Sequence, residues 1–152
     1  MGYFTHGLVS GRLCREVVEM ASGTDRSQLR ILVVDDENSV RVLLVSVLSR
    51  EGYQVLAFET AEAALEELRQ RPAQLIIAER SATSVDGIDL HMRARALQPQ
   101  IQSILIASAP GREVGAAAEG EGVREYVIKP FQVADVLAVC EAAMKMVQRA
   151  AV

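Results

Sequence analysis

Aromatic residues are scarce in this chain, and proline and cysteine are scarce too. Its 152 residues include no Trp, three Tyr, three Phe, four Pro and two Cys, whereas half are hydrophobic and 24% are charged. The chain has few aromatic rings on which bases could stack. Its net charge of −4 and isoelectric point near 5.2 also argue against a broad nucleic-acid-binding surface. The balance of hydrophobic and charged residues is that of a globular domain, and the length favours one core.

Long apolar runs are also absent, and none approaches the roughly 20 residues that span a bilayer. Four charged side chains between Arg12 and Glu19 interrupt the N-terminal region, so it lacks the apolar core of a secretory signal. Cys14 and Cys140 lie in helix-like stretches without metal-ligand spacing, which favours packing over a disulfide. We therefore expect a cytoplasmic protein that does not associate with membranes.

The most informative stretch is 31–37, where four large aliphatic residues run directly into Asp35, Asp36 and Glu37. Such a run suits a strand buried on both faces, which places the acids at its carboxyl end, the ligand-binding edge of an open α/β sheet. Adjacent carboxylates repel by about 1 kcal/mol at 4 Å in water and roughly 4 kcal/mol at a partly shielded site, so we expect a cation there. Oxygen ligands favour magnesium, calcium or manganese. Alternatively, the three acids are polar loop residues before the next helix.

From Leu29 onward, apolar strands alternate with amphipathic helices. The predicted strands are 31–34, 53–58, 75–78, 101–107 and 125–128. The predicted helices are one closed by Glu51-Gly52, one capped by Thr60, one over 88–97, a short and weak one within the glycine-rich stretch 110–122, and a last one from Val133. Five such units predict an α/β fold, a doubly wound five-stranded parallel sheet of order 2-1-3-4-5 flanked by five helices.

Residues 1–28 stand apart as an N-terminal extension before a domain over 29–150. Apolar residues recur at helical spacing and predict a short amphipathic helix over about 10–21; they are Val9, Leu13, Val17 and Met20. Residues 23–27, Gly-Thr-Asp-Arg-Ser, are typical of a linker. Three roles remain open for the extension: docking on the domain, contact with a partner, or a frayed tail.

Polar residues follow four of the predicted strands, and the parallel arrangement brings them to one edge. Asp35 and Asp36 follow the first strand, Glu79 the third, Ser108 the fourth and Lys129 the fifth. Because the carboxyl ends of parallel strands share one side of the sheet, all five side chains are expected to face one crevice.

The chain resembles the receiver domain of two-component response regulators over about 29–148, which implies a CheY-like, flavodoxin-like fold. The resemblance is carried by Val34-Asp35-Asp36-Glu37, the Asp86-Gly87 pair after Glu79, Ser108-Ala109, and Tyr126-Val127-Ile128-Lys129-Pro130-Phe131. Each piece is weak alone, but together and in this order they are specific.

The resemblance implies a role for each matching residue. In the family, the acidic pair binds magnesium and an aspartate at the third strand end accepts a phosphoryl group. Carried over, Asp35 and Asp36 are the metal pair, and the backbone carbonyl of Ser81 is a further metal ligand. Ser108 and Lys129 are then the phosphoryl ligands. From the acidic pair we expect a site that can bind Mg²⁺ but does not require it.

Two further family features match the end of the fifth strand. Tyr126 matches the aromatic residue whose rotation reports the modification. The Lys129-Pro130 bond matches one that is usually cis in the family, an uncommon state even before proline.

The departure from the family lies at the acceptor, where Glu79 stands in place of aspartate. Glutamate is one methylene longer, which displaces its carboxylate by about 1 Å, roughly one carbon–carbon bond. Phosphoryl transfer depends on positioning, and a displacement of about 1 Å can cost about a hundredfold in rate. The longer side chain can also reach Lys129, which we expect to pair with Glu79 and Asp36. We therefore expect an atypical receiver that aspartyl phosphorylation does not switch.

These features predict a protein-interaction module, not an enzyme. Its expected partners are a signalling protein, a histidine kinase, or a second copy bound through the fourth helix, fifth strand and last helix. No output domain is expected beyond Val152, and no nucleic acid. The alternative is a magnesium-dependent, self-dephosphorylating response regulator that accepts phosphate on Glu79. A flavin-binding domain is a distant third, since the acids at 35–37 would repel a phosphate.

Overall fold

The fold is a parallel sheet of five strands with helices on both faces. The computed structural model of the chain describes residues 25–80, 86–107 and 125–151. The strands are β1 (Arg30–Val34), β2 (Gln54–Phe58), β3 (Leu75–Glu79), β4 (Gln102–Ala107) and β5 (Glu125–Ile128). The α-helices in these residues are α1 (Asn38–Arg50), α2 (Ala61–Gln70), α3 (Gly87–Leu97) and α4 (Val133–Ala151).

The sheet has the order β2-β1-β3-β4-β5, and every adjacent pair is parallel. This confirms the predicted class and strand order. The described residues contain four α-helices where the sequence predicts five, because the predicted helix at 110–122 lies outside them. Within the described residues, no helix combines the length and hydrophobicity needed to cross a bilayer.

Two hydrophobic clusters lie on opposite faces of the sheet because alternate strand residues point in opposite directions. Ile31 and Val33 of β1 pack with α1 and α4, whereas Leu32 and Val34 pack with α2 and α3. All five residues of β1 and of β3 are buried, as expected for central strands of a parallel sheet. In contrast, the edge strand β2 leaves Leu56 37% exposed.

The helix ends place the loops of the carboxyl edge. Thr60 caps α2 as predicted, since its side chain accepts a hydrogen bond from Ala63 N. Gly52 follows α1 with a φ of 99°, a conformation that favours glycine. Asp86 caps α3 by accepting hydrogen bonds from the backbone N–H groups of Ile88 and Asp89.

Gly87 allows α3 to begin directly against the end of β3. A Cβ at this position would lie 2.5 Å from the carbonyl oxygen of Glu79 and 2.8 Å from Leu105 Cδ2. The absence of a side chain therefore lets the helix start close to the strand end that carries Glu79.

The described chain begins with a single 3₁₀ turn, Arg26–Gln28, that packs on the domain. Arg26 donates a hydrogen bond to the backbone oxygen of Glu51, and its guanidinium lies 5.2 Å from the centre of the Tyr53 ring. Residues 25–28, placed in the extension by the sequence, thus contact the end of α1 and the start of β2.

Candidate functional site

Strand register brings the first and third strand ends together at the carboxyl edge. Val34 of β1 pairs with Ala78 of β3, so the next residues, Asp35 and Glu79, are neighbours. Glu79 in turn pairs with Ile106 of β4. Because the register is set by backbone hydrogen bonds, both carboxylates are held on rigid elements.

The fifth strand delivers Lys129 to the same edge. Ala107 pairs with Ile128, and Lys129 N donates a hydrogen bond to Ala107 O at 2.8 Å. The Lys129-Pro130 peptide bond is cis, as the resemblance implies. The side chain of Lys129 then points back across the sheet edge towards β3.

Lys129 pairs with two carboxylates in the structure. Its Nζ lies 3.2 Å from Glu79 Oε2 and 3.5 Å from Glu37 Oε1. The sequence indicates Asp36 as a partner beside Glu79, but the second ion pair is made with Glu37. Glu37 is thus the site residue whose role sequence reasoning missed, although its place in the acidic run was a signal.

The three carboxylates of Asp35, Asp36 and Glu79 form one cluster. Each offers an oxygen that lies within 4.8 Å of the others. Asp35 is 1% exposed and Glu79 is 6% exposed, so most of this negative charge is withdrawn from water. Among the described residues, the Lys129 ammonium is the only cation that forms an ion pair with a carboxylate of the cluster.

Asp35 is anchored through one oxygen and its backbone. Its Oδ1 accepts a hydrogen bond from Glu37 N at 2.8 Å, and its carbonyl accepts one from Arg41 Nη1 at 2.7 Å. Its Oδ2 is buried and has no hydrogen-bond partner among the described residues. A buried carboxylate oxygen without a donor is a position that a cation can satisfy.

The pKa values follow from this crowding. Burial raises the pKa of Asp35 to about 6; the hydrogen bond from Glu37 N opposes the rise and the negative charge of Glu79 adds to it. For Lys129, partial burial acts to lower the pKa, but the hydrogen bond to Glu79 and the surrounding carboxylates outweigh it and raise the pKa. The ammonium is therefore held in its charged form.

The donor set suits a hard divalent cation. Three carboxylate oxygens close together, one of them from the orphaned Asp35 side chain, are the ligand type that Mg²⁺ takes in proteins. The residues present therefore fit the metal that the resemblance implies.

The resemblance also assigns roles to Ser81, Ser108 and Tyr126. Ser81 and Ser108 lie outside the described residues, and Tyr126 is described only as backbone within β5. Their assigned roles stay predictions.

The profile of the response regulator receiver domain matches residues 31–141 of this chain. The chain belongs to the response regulator receiver domain family. These are the domains of two-component signalling, and the matched residues run from β1 into α4.

Individual receivers match over similar lengths. The response regulator receiver protein CpdR of Brucella abortus is 28% identical over 108 residues, which cover 71% of this chain and 90% of CpdR. The transcriptional regulatory protein ZraR of Escherichia coli O157:H7 is 31% identical over 114 residues, or 75% of this chain and 26% of ZraR. The chain thus spans about a quarter of the length of ZraR, and of the NtrC and NtrX proteins it also matches.

Solved receiver structures share the fold. A CheY-like receiver domain protein from Methanospirillum hungatei superposes with a TM-score of 0.74 at 23% identity, covering 80% of this chain and 97% of that one. The beryllofluoride-activated NtrC4 receiver domain dimer has a TM-score of 0.73 at 25% identity, covering 78% of this chain and 98% of that one. Solved structures of receiver domains therefore have the same fold as this chain.

Proposed function

We propose that this receiver is an interaction module in two-component signalling whose output does not depend on aspartyl phosphorylation. The observation that carries the proposal is the 3.2 Å contact between Lys129 Nζ and Glu79 Oε2. Glu79 stands where the family resemblance places the acceptor aspartate. The Glu79 carboxylate already pairs with Lys129, the residue that would otherwise bind a phosphoryl oxygen.

Burial and charge support this role for Glu79. The side chain is 8% exposed, which limits the approach of a phosphodonor to its carboxylate. Lys129 is paired on its other side with Glu37, just before α1, so β3, β5 and the start of α1 are tied through one ammonium. The extra methylene of Glu79 brings to this point the negative charge that a phosphoryl group would supply.

Magnesium has a supporting place in the proposal. Asp35 and Asp36 would hold the ion, with the carbonyl of Ser81 as the further ligand implied by the resemblance. A bound Mg²⁺ would neutralise the carboxylate cluster. The protein's own groups orient the site without it: Glu37 N and Arg41 fix Asp35, and Lys129 fixes Glu79.

Phosphorylation of the full chain tests the proposal directly. The protein is incubated with a small phosphodonor and Mg²⁺, and its intact mass is measured before and after acid treatment. We expect no adduct on the wild-type chain. A stoichiometric, acid-labile adduct on Glu79 would overturn the proposal and favour the alternative of a self-dephosphorylating regulator that uses Glu79 as acceptor.

The same assay on Glu79→Asp tests whether the rest of the site can support phosphorylation. Shortening the side chain returns the carboxylate to the family's position, so we expect this variant to gain an acid-labile phosphoryl group. The matched control is Glu66→Asp, the same change at an exposed position on α2, which should gain none. If Glu79→Asp also stays unmodified, Glu79 is not what blocks phosphorylation.

We propose a signalling protein or histidine kinase as the partner, with a second copy of the chain as a further candidate. Ile128 at the end of β5 is 44% exposed and Met146 on α4 is 38% exposed, which leaves apolar surface for a contact. The NtrC4 receiver domain is described as a dimer. A pull-down that compares the wild-type chain with Glu79→Asp tests the partner, and sedimentation at increasing concentration tests self-association.

A further inference from the structure

A groove between α1 and the edge strand β2 lies outside the carboxylate cluster. It is a shallow groove with a volume of about 400 Å³, lined by Asn38, Arg41, Val42, Val45, Ser46 and Ala57. Val42 is 59% exposed and Ala57 is also exposed, although both are apolar. The groove therefore presents apolar surface that the described residues do not cover.

The described chain starts beyond the carboxyl end of α1, about one helical turn past the groove residue Ser46. The side chain of Gln54, the first residue of β2, donates a hydrogen bond to Ser27 O. Arg26 is hydrogen-bonded to Glu51, which follows the last residue of α1. The described chain thus begins beside the end of α1 and the start of β2.

The length of chain before Asp25 matches the groove. The amphipathic helix predicted over residues 10–21 would be about 18 Å long, against about 12 Å from Asn38 to Ser46 along α1. Residues 22–24 span up to about 10 Å when extended, enough to pass the last turn of α1. The segment can therefore reach the groove without any change in the domain.

We propose that the N-terminal segment, as an amphipathic helix over residues 10–21, docks in the α1–β2 groove of its own domain. Its apolar stripe, which includes Leu13 and Val17, covers Val42, Val45 and Ala57. This inference goes beyond the proposed function and does not depend on it.

Docking would link the segment to the carboxyl edge. The groove includes the first turns of α1, and Arg41 in its lining donates a hydrogen bond to Asp35 O at 2.7 Å. A docked segment would lie beside the first turns of α1, which border the acidic cluster.

Thiol labelling of the full chain tests the inference. In a Cys14→Ser background, with Cys140 buried, Val42→Cys provides one accessible thiol in the groove. We expect Leu13→Asp/Val17→Asp to raise the labelling rate of this thiol by about tenfold, the change expected if about nine-tenths of molecules are docked. The matched control is Met92→Cys on α3, a 50% exposed position on the other face of the sheet, whose rate should not change.

Two outcomes would overturn the inference. In the first, Val42→Cys is labelled at the same rate with either N-terminal sequence. In the second, the protection of Val42→Cys disappears on dilution, which would show that a second copy occupies the groove. Protection that is independent of concentration and is lost with Leu13→Asp/Val17→Asp supports docking within one chain.

Discussion

At the scale of single residues, Lys129 holds the carboxyl edge of the sheet together. Its side chain is 21% exposed and pairs with Glu79 at 3.2 Å and with Glu37 at 3.5 Å. Removing the ammonium leaves the buried Glu79 carboxylate beside Asp35 without a positive charge. We therefore expect Lys129→Met to lower the free energy of unfolding by about 1–3 kcal/mol at neutral pH without metal.

Thermal or denaturant unfolding in a chelator measures this loss. The matched control is Lys145→Met on α4, where the lysine is 64% exposed and pairs with Glu141 one turn away. Such exposed pairs contribute about 0.5 kcal/mol or less, so the control should change stability little. Unchanged melting of Lys129→Met would show that the lysine does not stabilise the cluster.

Asp35 gives the fold a pH dependence. Burial, opposed by the Glu37 hydrogen bond and reinforced by the Glu79 charge, raises its pKa from 3.8 to about 6. Between about pH 4 and 6 the folded state binds more protons than the unfolded state. The free energy of unfolding therefore falls as the pH rises through that range. Asn carries no charge at this position, so above pH 7 the free energy of unfolding of Asp35→Asn should be higher than that of the wild type by up to about 3 kcal/mol.

Denaturant unfolding from pH 4 to 8 in a chelator checks this sign. The advantage of Asp35→Asn over the wild type should be absent at pH 4 and grow towards pH 7. Asp89→Asn, at a 61% exposed position on α3, serves as control and should show no such growth. An Asp35→Asn variant no more stable than the wild type at pH 8 would contradict the buried-charge explanation.

At the scale of elements, the start of α3 depends on Gly87. A Cβ there would lie 2.5 Å from the backbone oxygen of Glu79, and backbone cannot move aside as a side-chain end can. Gly87→Ala must therefore separate α3 from β3 or shift Glu79. We expect a loss of stability of about 2–3 kcal/mol, in the upper part of the range for overpacking.

Gly52→Ala is the comparison for this variant. Gly52 has a φ of 99°, but a Cβ there would make only an ordinary contact of 3.4 Å with Arg26. Its cost is conformational, about 1–2 kcal/mol. Denaturant unfolding of both variants should rank Gly87→Ala as the less stable, and the reverse order would argue against the close approach of α3 to β3.

At the scale of the whole molecule, one sheet separates two hydrophobic clusters. Leu44 of α1 lies in one and Leu65 of α2 in the other, and both are 1% exposed. Because β1 and β3 contribute side chains to both clusters, the domain should unfold as one unit. We expect Leu44→Ala and Leu65→Ala each to cost about 2–5 kcal/mol.

Circular dichroism and tyrosine fluorescence should report the same unfolding midpoint for each variant. Met92→Ala, at a 50% exposed position on α3, is the control and should cost well under 1 kcal/mol. Separate midpoints for the two probes in either variant would show that the clusters unfold independently.

The sequence by itself determined the sheet, the strand order and the edge at which the acids and Lys129 meet. The aliphatic runs of β1 and β3 can only be buried on both faces, and parallel strands place their carboxyl ends on one side. The receiver family was readable from motifs in order along the chain. The roles of Ser81, Ser108 and Tyr126 stay predictions.

The tertiary structure alone decided which charges touch. Lys129 pairs with Glu37 and not Asp36, because the direction of each side chain after β1 depends on how the chain turns into α1. It also decided that, among the described residues, one buried oxygen of Asp35 lacks a donor and that an apolar groove forms between α1 and β2. Such contacts depend on differences of an ångström between distant parts of the chain, which no pattern of neighbouring residues encodes.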